Sequence, residues 1–256
     1  MKFLITTILS LALFTPQSTL AWSKKGHDVI CYIAENHLTD KALDKVTDVL
    51  DGKSMVYYSS WMDTASHTDE YKYTAQWHYF NIDKSVKKTE RVKGGDALSA
   101  VEDLVKKLKN GRLKGEEEKV ALKMLIHIVG DMHQPMHMGR KEDYGGNTIP
   151  VVYFTESTNL HTLWDYHIVE GARNWSFSEW QDQIDRVSKQ EIKEIVSGSY
   201  SDWAEETFAI AKEIYKDTPA ETRVYYDYVA KYSPIVEQQF LYAGIRLAYI
   251  LNQIYK

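Results

Sequence analysis

The stretch "EEEKVALKMLIHIVGDMHQPMH", residues 116–137, decides how the chain is read. Val120 to Val129 is apolar on nearly every face, so the segment reads as a helix buried among other elements. Polar side chains inside such a helix need partners. His127 and Asp131 stand four residues apart, which puts both on one face, and His137 follows once Pro135 has ended the helix. An unpaired buried aspartate costs several kcal/mol, whereas a divalent cation satisfies the carboxylate and the imidazole together.

Outward from this segment the same 3.6-residue apolar spacing recurs over 23–37, 39–50, 96–109, 159–170, 176–196, 201–215 and 232–255, with the buried helix itself running to about 133. Thr39 and Ser201 are placed as N-caps, and "KNG" at 109–111 stops a helix. Only "TIPVVYF" at 148–154 and "WHYFNI" at 77–82 read as extended, enough for a small β-hairpin beside the helices. The predicted class is mainly α, a multi-helix bundle. No Pro/Gly/Ser-rich linker or composition shift marks a boundary, so a single domain is expected.

Residues 1–21 read as a cleaved signal peptide: Lys2 is the charged start, Phe3 to Phe14 the apolar run, and Thr19 and Ala21 the small residues before the cut. The run is too short for a stable membrane anchor, so residues 22–256 are expected to be exported, periplasmic or secreted, without stable membrane association. A lone cysteine, Cys31, excludes an internal disulfide and leaves packing or metal as the source of rigidity. The net charge of −5 gives no long-range attraction for nucleic acid or an anionic membrane. Positive charge for any phosphate chemistry must therefore be concentrated locally.

A second His-x-x-x-Asp pair, His161 and Asp165 in "NLHTLWD", repeats the spacing of His127 and Asp131. Two further candidates lie upstream, Asp63 in "WMD" and His78 in "WHY", each flanked by aromatic residues. Each residue taken alone could be an ordinary core or surface residue; the set together argues for a metal cluster. Cleavage after Ala21 would also free the amine and carbonyl of Trp22 to chelate a metal, with His27 a short way along the first helix.

The ordered motifs "W....GH" (22–27), "WMD" (61–63), "WHY" (77–79), "HIVGDMHQPMH" (127–137), "DYGGN" (143–147) and "LHTLWD" (160–165) resemble those of a known family. It is the zinc-dependent single-strand-specific nuclease and 3'-nucleotidase family, distantly related to bacterial zinc-dependent phospholipase C. The resemblance implies the fold of those enzymes and three Zn2+ ions. One ion would take Asp63, His78, His127 and Asp131; a second His137, His161 and Asp165; a third the Trp22 amine and carbonyl, His27 and the other oxygen of Asp131. It further implies hydrolysis of single-stranded RNA and DNA to 5'-phosphorylated products by a metal-activated water that Asp63 orients, with 3'-nucleotides also cleaved. No protein partner is evident.

Substrate contacts implied by the resemblance are Tyr79 for base stacking, Asn147 in "DYGGN", and Asn81, which replaces a common aspartate. Ser66 stands where the family often has a basic residue; Lys72 and Arg140 are the candidates to replace it. His37, His67, His133 and His167 are expected on the surface or behind the ligands. The competing readings are a phospholipase C and a non-catalytic zinc-stabilised binding protein. Aspartate at 165, the long interval from His137 to His161 and an aromatic placed for stacking favour the nuclease over the former. A His/Asp site with open positions, rather than a closed cysteine-rich one, argues against the latter.

Overall fold

Short polar side chains start most of the helices, because each can accept from a backbone N–H that the first turn leaves unpaired. A computed structural model describes residues 22–256; the expected signal peptide lies outside the described residues. Ser23 caps α1 (Lys24–Asn36), and Thr39 caps α2 (Asp40–Val49) by accepting from the Ala42 N–H, as expected. Two short helices not foreseen follow, α3 (Met55–Tyr58) and α4 (Trp61–Ala65), then a 3-10 turn over Lys72–His78. A reciprocal Asp96/Ser99 capping box opens α5 (Ala97–Lys109), which stops at Asn110 and Gly111 as "KNG" predicts.

α6 (Glu116–Asp131) is the predicted core helix, and every residue from Ala121 to Asp131 is buried. Its periodicity therefore carries little information about which face meets what. The chain turns through the 3-10 segment Pro135–Met138 into strand β1 (Pro150–Tyr153), inside the stretch expected to be extended, which pairs antiparallel with β2 (Glu156–Asn159), a strand not foreseen. α7 (Leu160–Thr162), a π turn over Leu163–His167 and α8 (Ile168–Ala172) occupy the predicted 159–170 helix.

Three expectations are corrected after that point. The predicted helix 176–196 is two, α9 (Phe177–Ile184) and α10 (Lys189–Ile195), because Ser188 forms a capping box with Glu191 and restarts the helix. α11 (Tyr200–Asp217) is capped by Ser199 rather than Ser201, again through a box with Asp202. After β3 (Thr222–Val224), α12 runs Tyr226–Ile254, beginning well before residue 232 and passing through Pro234. Proline removes one helical hydrogen bond, but the carbonyl it frees belongs to exposed Ala230, where water can take its place.

β3 pairs in parallel with β1, so the sheet has the order β2-β1-β3 and is larger than the predicted hairpin. The "WHYFNI" segment is extended only from Tyr79 on; Phe80 and Ile82 donate to the carbonyls of His137 and Gly139 at 2.8 Å outside that sheet. α12 packs along α1, α5, α6 and α8, and one continuous apolar core reaches from Trp22 to Tyr255 with Cys31 inside it. No helix among the described residues is long and apolar enough to cross a membrane.

Candidate metal centre

The end of α6 brings His127 and Asp131 to the middle of the molecule with no exposure of either. His27 on α1 reaches the same place because the facing residue is Gly130: a Cβ there would come within 2.9 Å of the imidazole Nδ1. α4 contributes Asp63, the 3-10 turns contribute His78 and His137, and the stretch from α7 through the π turn contributes His161 and Asp165. All except His78 are buried.

The carboxylate of Asp131 faces two ways. Its Oδ2 lies 3.0 Å from His78 Nδ1 and 3.3 Å from His127 Nε2, while Oδ1 lies 3.4 Å from His27 Nε2 and 3.6 Å from His137 Nδ1. Asp63 Oδ1 is 3.3 Å from His127 Nε2. On the far side Asp165 sits 3.1 Å from His161 Nε2 and 3.6 Å from His137 Nε2 through its two oxygens. Three groups have ligand atoms within 4.8 Å of one another: His27, Asp63 and His127; His78, His127 and Asp131; and His137, His161 and Asp165.

Backbone carbonyls orient three of the rings. Nδ1–H of His127 donates to the Ser59 carbonyl at 2.8 Å, that of His137 to the His78 carbonyl at 2.6 Å, and that of His161 to the Gly145 carbonyl at 2.8 Å. Because a carbonyl only accepts, each ring is left with its Nε2 lone pair turned into the cluster, the arrangement that prepares imidazole for a metal. Gly145 can approach this closely because it adopts φ +67, and a Cβ would run into the Met136 carbonyl.

The cluster is unsatisfied without a cation. His27 Nε2, Asp131 Oδ1, His137 Nε2 and His161 Nε2 are buried with no hydrogen-bond partner. Each such atom costs about 1–3 kcal/mol, and divalent cations would satisfy the set at once, so these residues fit a metal centre. The electrostatics point the same way. Burial would raise the Asp131 carboxyl, but His127 and His137 outweigh it and hold it well below the usual range. Burial likewise opposes a proton on His127 and His137, yet Asp131 with Asp63 or Asp165 drives the first well up and the second to about 9. For His27, burial and the charge of His127 win, and its affinity for a proton falls. Protons thus supply part of the positive charge that the carboxylates demand, and a metal must displace them.

The family model for S1/P1 Nuclease matches residues 22–256, the whole of the described chain. The chain belongs to the S1/P1 nuclease family. Similar proteins include Endonuclease 4 of Arabidopsis thaliana, 27% identical over 92% of this chain and 90% of that protein. Nuclease S1 of Aspergillus oryzae is 28% identical over 93% of each. Among solved structures, an alpha toxin from Clostridium absonum aligns with a TM-score of 0.42 and 14% identity, covering 94% of this chain and 64% of that one, just under two thirds. As an S1/P1 nuclease the chain is a hydrolase of a metal-dependent family.

Tyr79 and Asn81 line a cavity of about 530 Å³ with basic Lys84, Lys88 and Lys141 and acidic Asp83 and Glu90; none of the candidate ligands lines it. Tyr79 is 37% exposed, so its ring is open to a ligand as a core tyrosine would not be. Asn147 is not among the lining residues; its amide donates to the Tyr144 carbonyl at 2.8 Å. Trp22 is buried against Phe240, and the adjacent Ser23 N–H donates to the Asp165 carbonyl at 2.8 Å, which ties the start of α1 to the cluster.

Of the expected basic substitutes, Lys72 pairs with Asp69 at 2.9 Å and Arg140 lies over the Tyr215 ring at 4.2 Å. The other histidines divide. His67 is exposed and donates to the Asp63 carbonyl at 2.7 Å, and His37 pairs with Asp185 at 2.8 Å. His167 is buried between Glu156 and Tyr153, and His133 is wholly buried beside Arg246, where burial and that charge push its pKa down to about 3. Ser59 and Gln134 were not singled out from sequence. A carbonyl acceptor such as that of Ser59 has no side-chain signature, whereas Gln134 lies inside the ligand motif.

Proposed function

We propose that residues 22–256 form one exported nuclease domain. It would hydrolyse single-stranded RNA and DNA to 5'-phosphorylated products and act on 3'-nucleotides, using three Zn2+ ions. Asp63, His78, His127 and Asp131 would hold one ion, and His137, His161 and Asp165 another. His27, the second oxygen of Asp131 and the Trp22 amine and carbonyl would hold the third. The observation that carries this reading is the Asp131 carboxylate, whose two oxygens face two different sets of imidazoles in a fully buried setting.

When bound, the ions supply a water acidic enough to act as a nucleophile near neutral pH and positive charge for the phosphate. The chain's own groups do the rest. Asp63, at the edge of the cluster, would accept a hydrogen bond from the attacking water and aim it. Three aspartates against three divalent ions leave a positive surplus in an otherwise acidic protein, which concentrates phosphate where the chemistry occurs. Tyr79 would stack on a base and Asn81 and Asn147 would contact the nucleotide, so that unpaired bases bind and a paired duplex is refused. The apolar run before Ala21 supports export as the route by which the mature chain is made.

Incubation of the zinc-loaded protein with single-stranded oligonucleotide, duplex, 3'-AMP and phosphatidylcholine tests the reading. Single strands and 3'-AMP should be consumed far faster than duplex, with lipid untouched; cleavage of lipid alone would overturn it. Tyr79→Ala should raise KM on oligonucleotides by an amount equivalent to about 1–3 kcal/mol per stacked base, with the fold intact. Unchanged kinetics on every nucleotide substrate would remove Tyr79 from the binding surface.

A further inference from the structure

Gln134 is wholly buried between two of the candidate ligand groups, and every hydrogen bond it makes leads to one of their members or to the turn that carries one. Its backbone N–H donates to the Asp131 carbonyl and its own carbonyl accepts from His137 N–H, both at 3.0 Å. Its side-chain Oε1 accepts from the Met136 N–H at 2.5 Å, which caps the 3-10 turn Pro135–Met138 on which His137 sits. Since a backbone N–H can only donate, this contact settles which way the amide points. Nε2 is therefore turned to Asp165, where it donates to Oδ1 and leaves Oδ2 facing His161 Nε2 at 3.1 Å.

We propose that Gln134 is a positioning residue that holds the Asp165 carboxylate and the His137 turn as one unit, and so sets the metal affinity of the His137–His161–Asp165 group alone. This rests on the reading that the group holds zinc. A neutral amide suits the task in a way that lysine or arginine would not. It orients the carboxylate by a hydrogen bond yet leaves its whole negative charge for a cation. Glutamate would keep the acceptor for Met136 N–H while losing the donor to Asp165, and methionine would fill the space while losing both.

Zinc titration of the chelator-stripped chain, read by competition with a chromophoric chelator, tests this in wild type, Gln134→Glu, Gln134→Met, Asp165→Asn and the Gln134→Glu/Asp165→Asn pair. In Gln134→Glu one zinc equivalent should bind about 10–100-fold more weakly while the others keep wild-type affinity. The same change on the Asp165→Asn background should add no further loss. Wild-type affinity for every equivalent in Gln134→Glu would overturn the proposal, and so would equal weakening of all of them, which a merely structural role produces. If Asp165→Asn itself takes up zinc like wild type, it is the reading of the group that has failed. Should the variants not fold, the side-chain amide of Gln134 in 15N-labelled wild-type protein decides. Its resonances should shift on addition of the zinc equivalent that Asp165→Asn lacks, and resonances unmoved through the full titration would overturn the proposal.

Discussion

The Asp131→Asn protein should lose zinc from two positions together and retain less than about one-hundredth of wild-type nuclease activity. Residues that merely orient a ligand already cost about 10–100-fold in metal affinity or activity when changed, so a ligand shared by two ions must cost at least that. The substitution keeps the shape and removes the charge. Asp131 has no exposure, and its two oxygens lie 3.0 to 3.4 Å from His78, His127 and His27. An asparagine there offers one neutral oxygen and an NH2 aimed at imidazole nitrogens that, as metal ligands, present lone pairs only on one side. Thermal unfolding gives an independent readout. A ligand at 100 times its Kd stabilises the native state by about 2.7 kcal/mol, so the zinc-loaded variant should melt close to its chelator-treated form, whereas wild type shows a wide gap. Three equivalents of zinc with wild-type turnover in Asp131→Asn would show that the carboxylate bridges nothing.

What could be read from the sequence was what a short-range pattern expresses. His127 and Asp131, and again His161 and Asp165, share a helical face at four-residue spacing, and the structure places the first pair in one candidate metal group and the second pair in another. The second pair meets although a π turn interrupts the helix between its members, because one widened turn leaves residues four apart still neighbouring, at 3.1 Å. α5 was legible from its apolar spacing, and its stop at "KNG" because Gly111 takes at no steric cost the positive φ that ends a helix. By sequence α9 and α10 read as one helix because their apolar spacing continues across 185–188. What separates them is the competition of the Ser188 hydroxyl and Glu191 for backbone groups.

Long-range features left no such mark. β3 pairs with β1 across some seventy residues of chain, and three residues of "TRV" are too few to show a period. Likewise nothing in "SSW" tells that the Ser59 carbonyl will orient His127, since any residue supplies a carbonyl and only the packing of α3 and α4 on α6 brings this one within 2.8 Å. The candidate substrate residues divide for the same reason. Tyr79 and Asn81 are close in sequence and line one cavity, whereas Asn147 reaches its surroundings through a loop whose course depends on Gly145 and Gly146 at positive φ.

A chain extended by one methionine before Trp22 should lose one zinc equivalent and drop in nuclease rate by at least about 10-fold, without losing its fold. In the proposed third position the Trp22 amine must donate a lone pair, and an added residue converts that amine into a peptide N–H, which has none to give. The surroundings leave the extended chain little room to compensate. Ser23 N–H is committed to the Asp165 carbonyl at 2.8 Å, Lys25 is paired with Glu170 at 2.5 Å, and the Trp22 ring is buried edge-on against Phe240. These contacts hold the start of α1 beside the cluster in both forms, so the metal-free melting temperatures should agree and only the zinc-loaded ones diverge. That comparison separates a missing ligand from a disturbed core. Proteolytic removal of the added residue should restore both the zinc equivalent and the rate. An extended chain, shown intact by mass spectrometry, that carries the full zinc complement and cuts single strands as fast as the Trp22-initiated chain would leave Trp22 with a packing role alone.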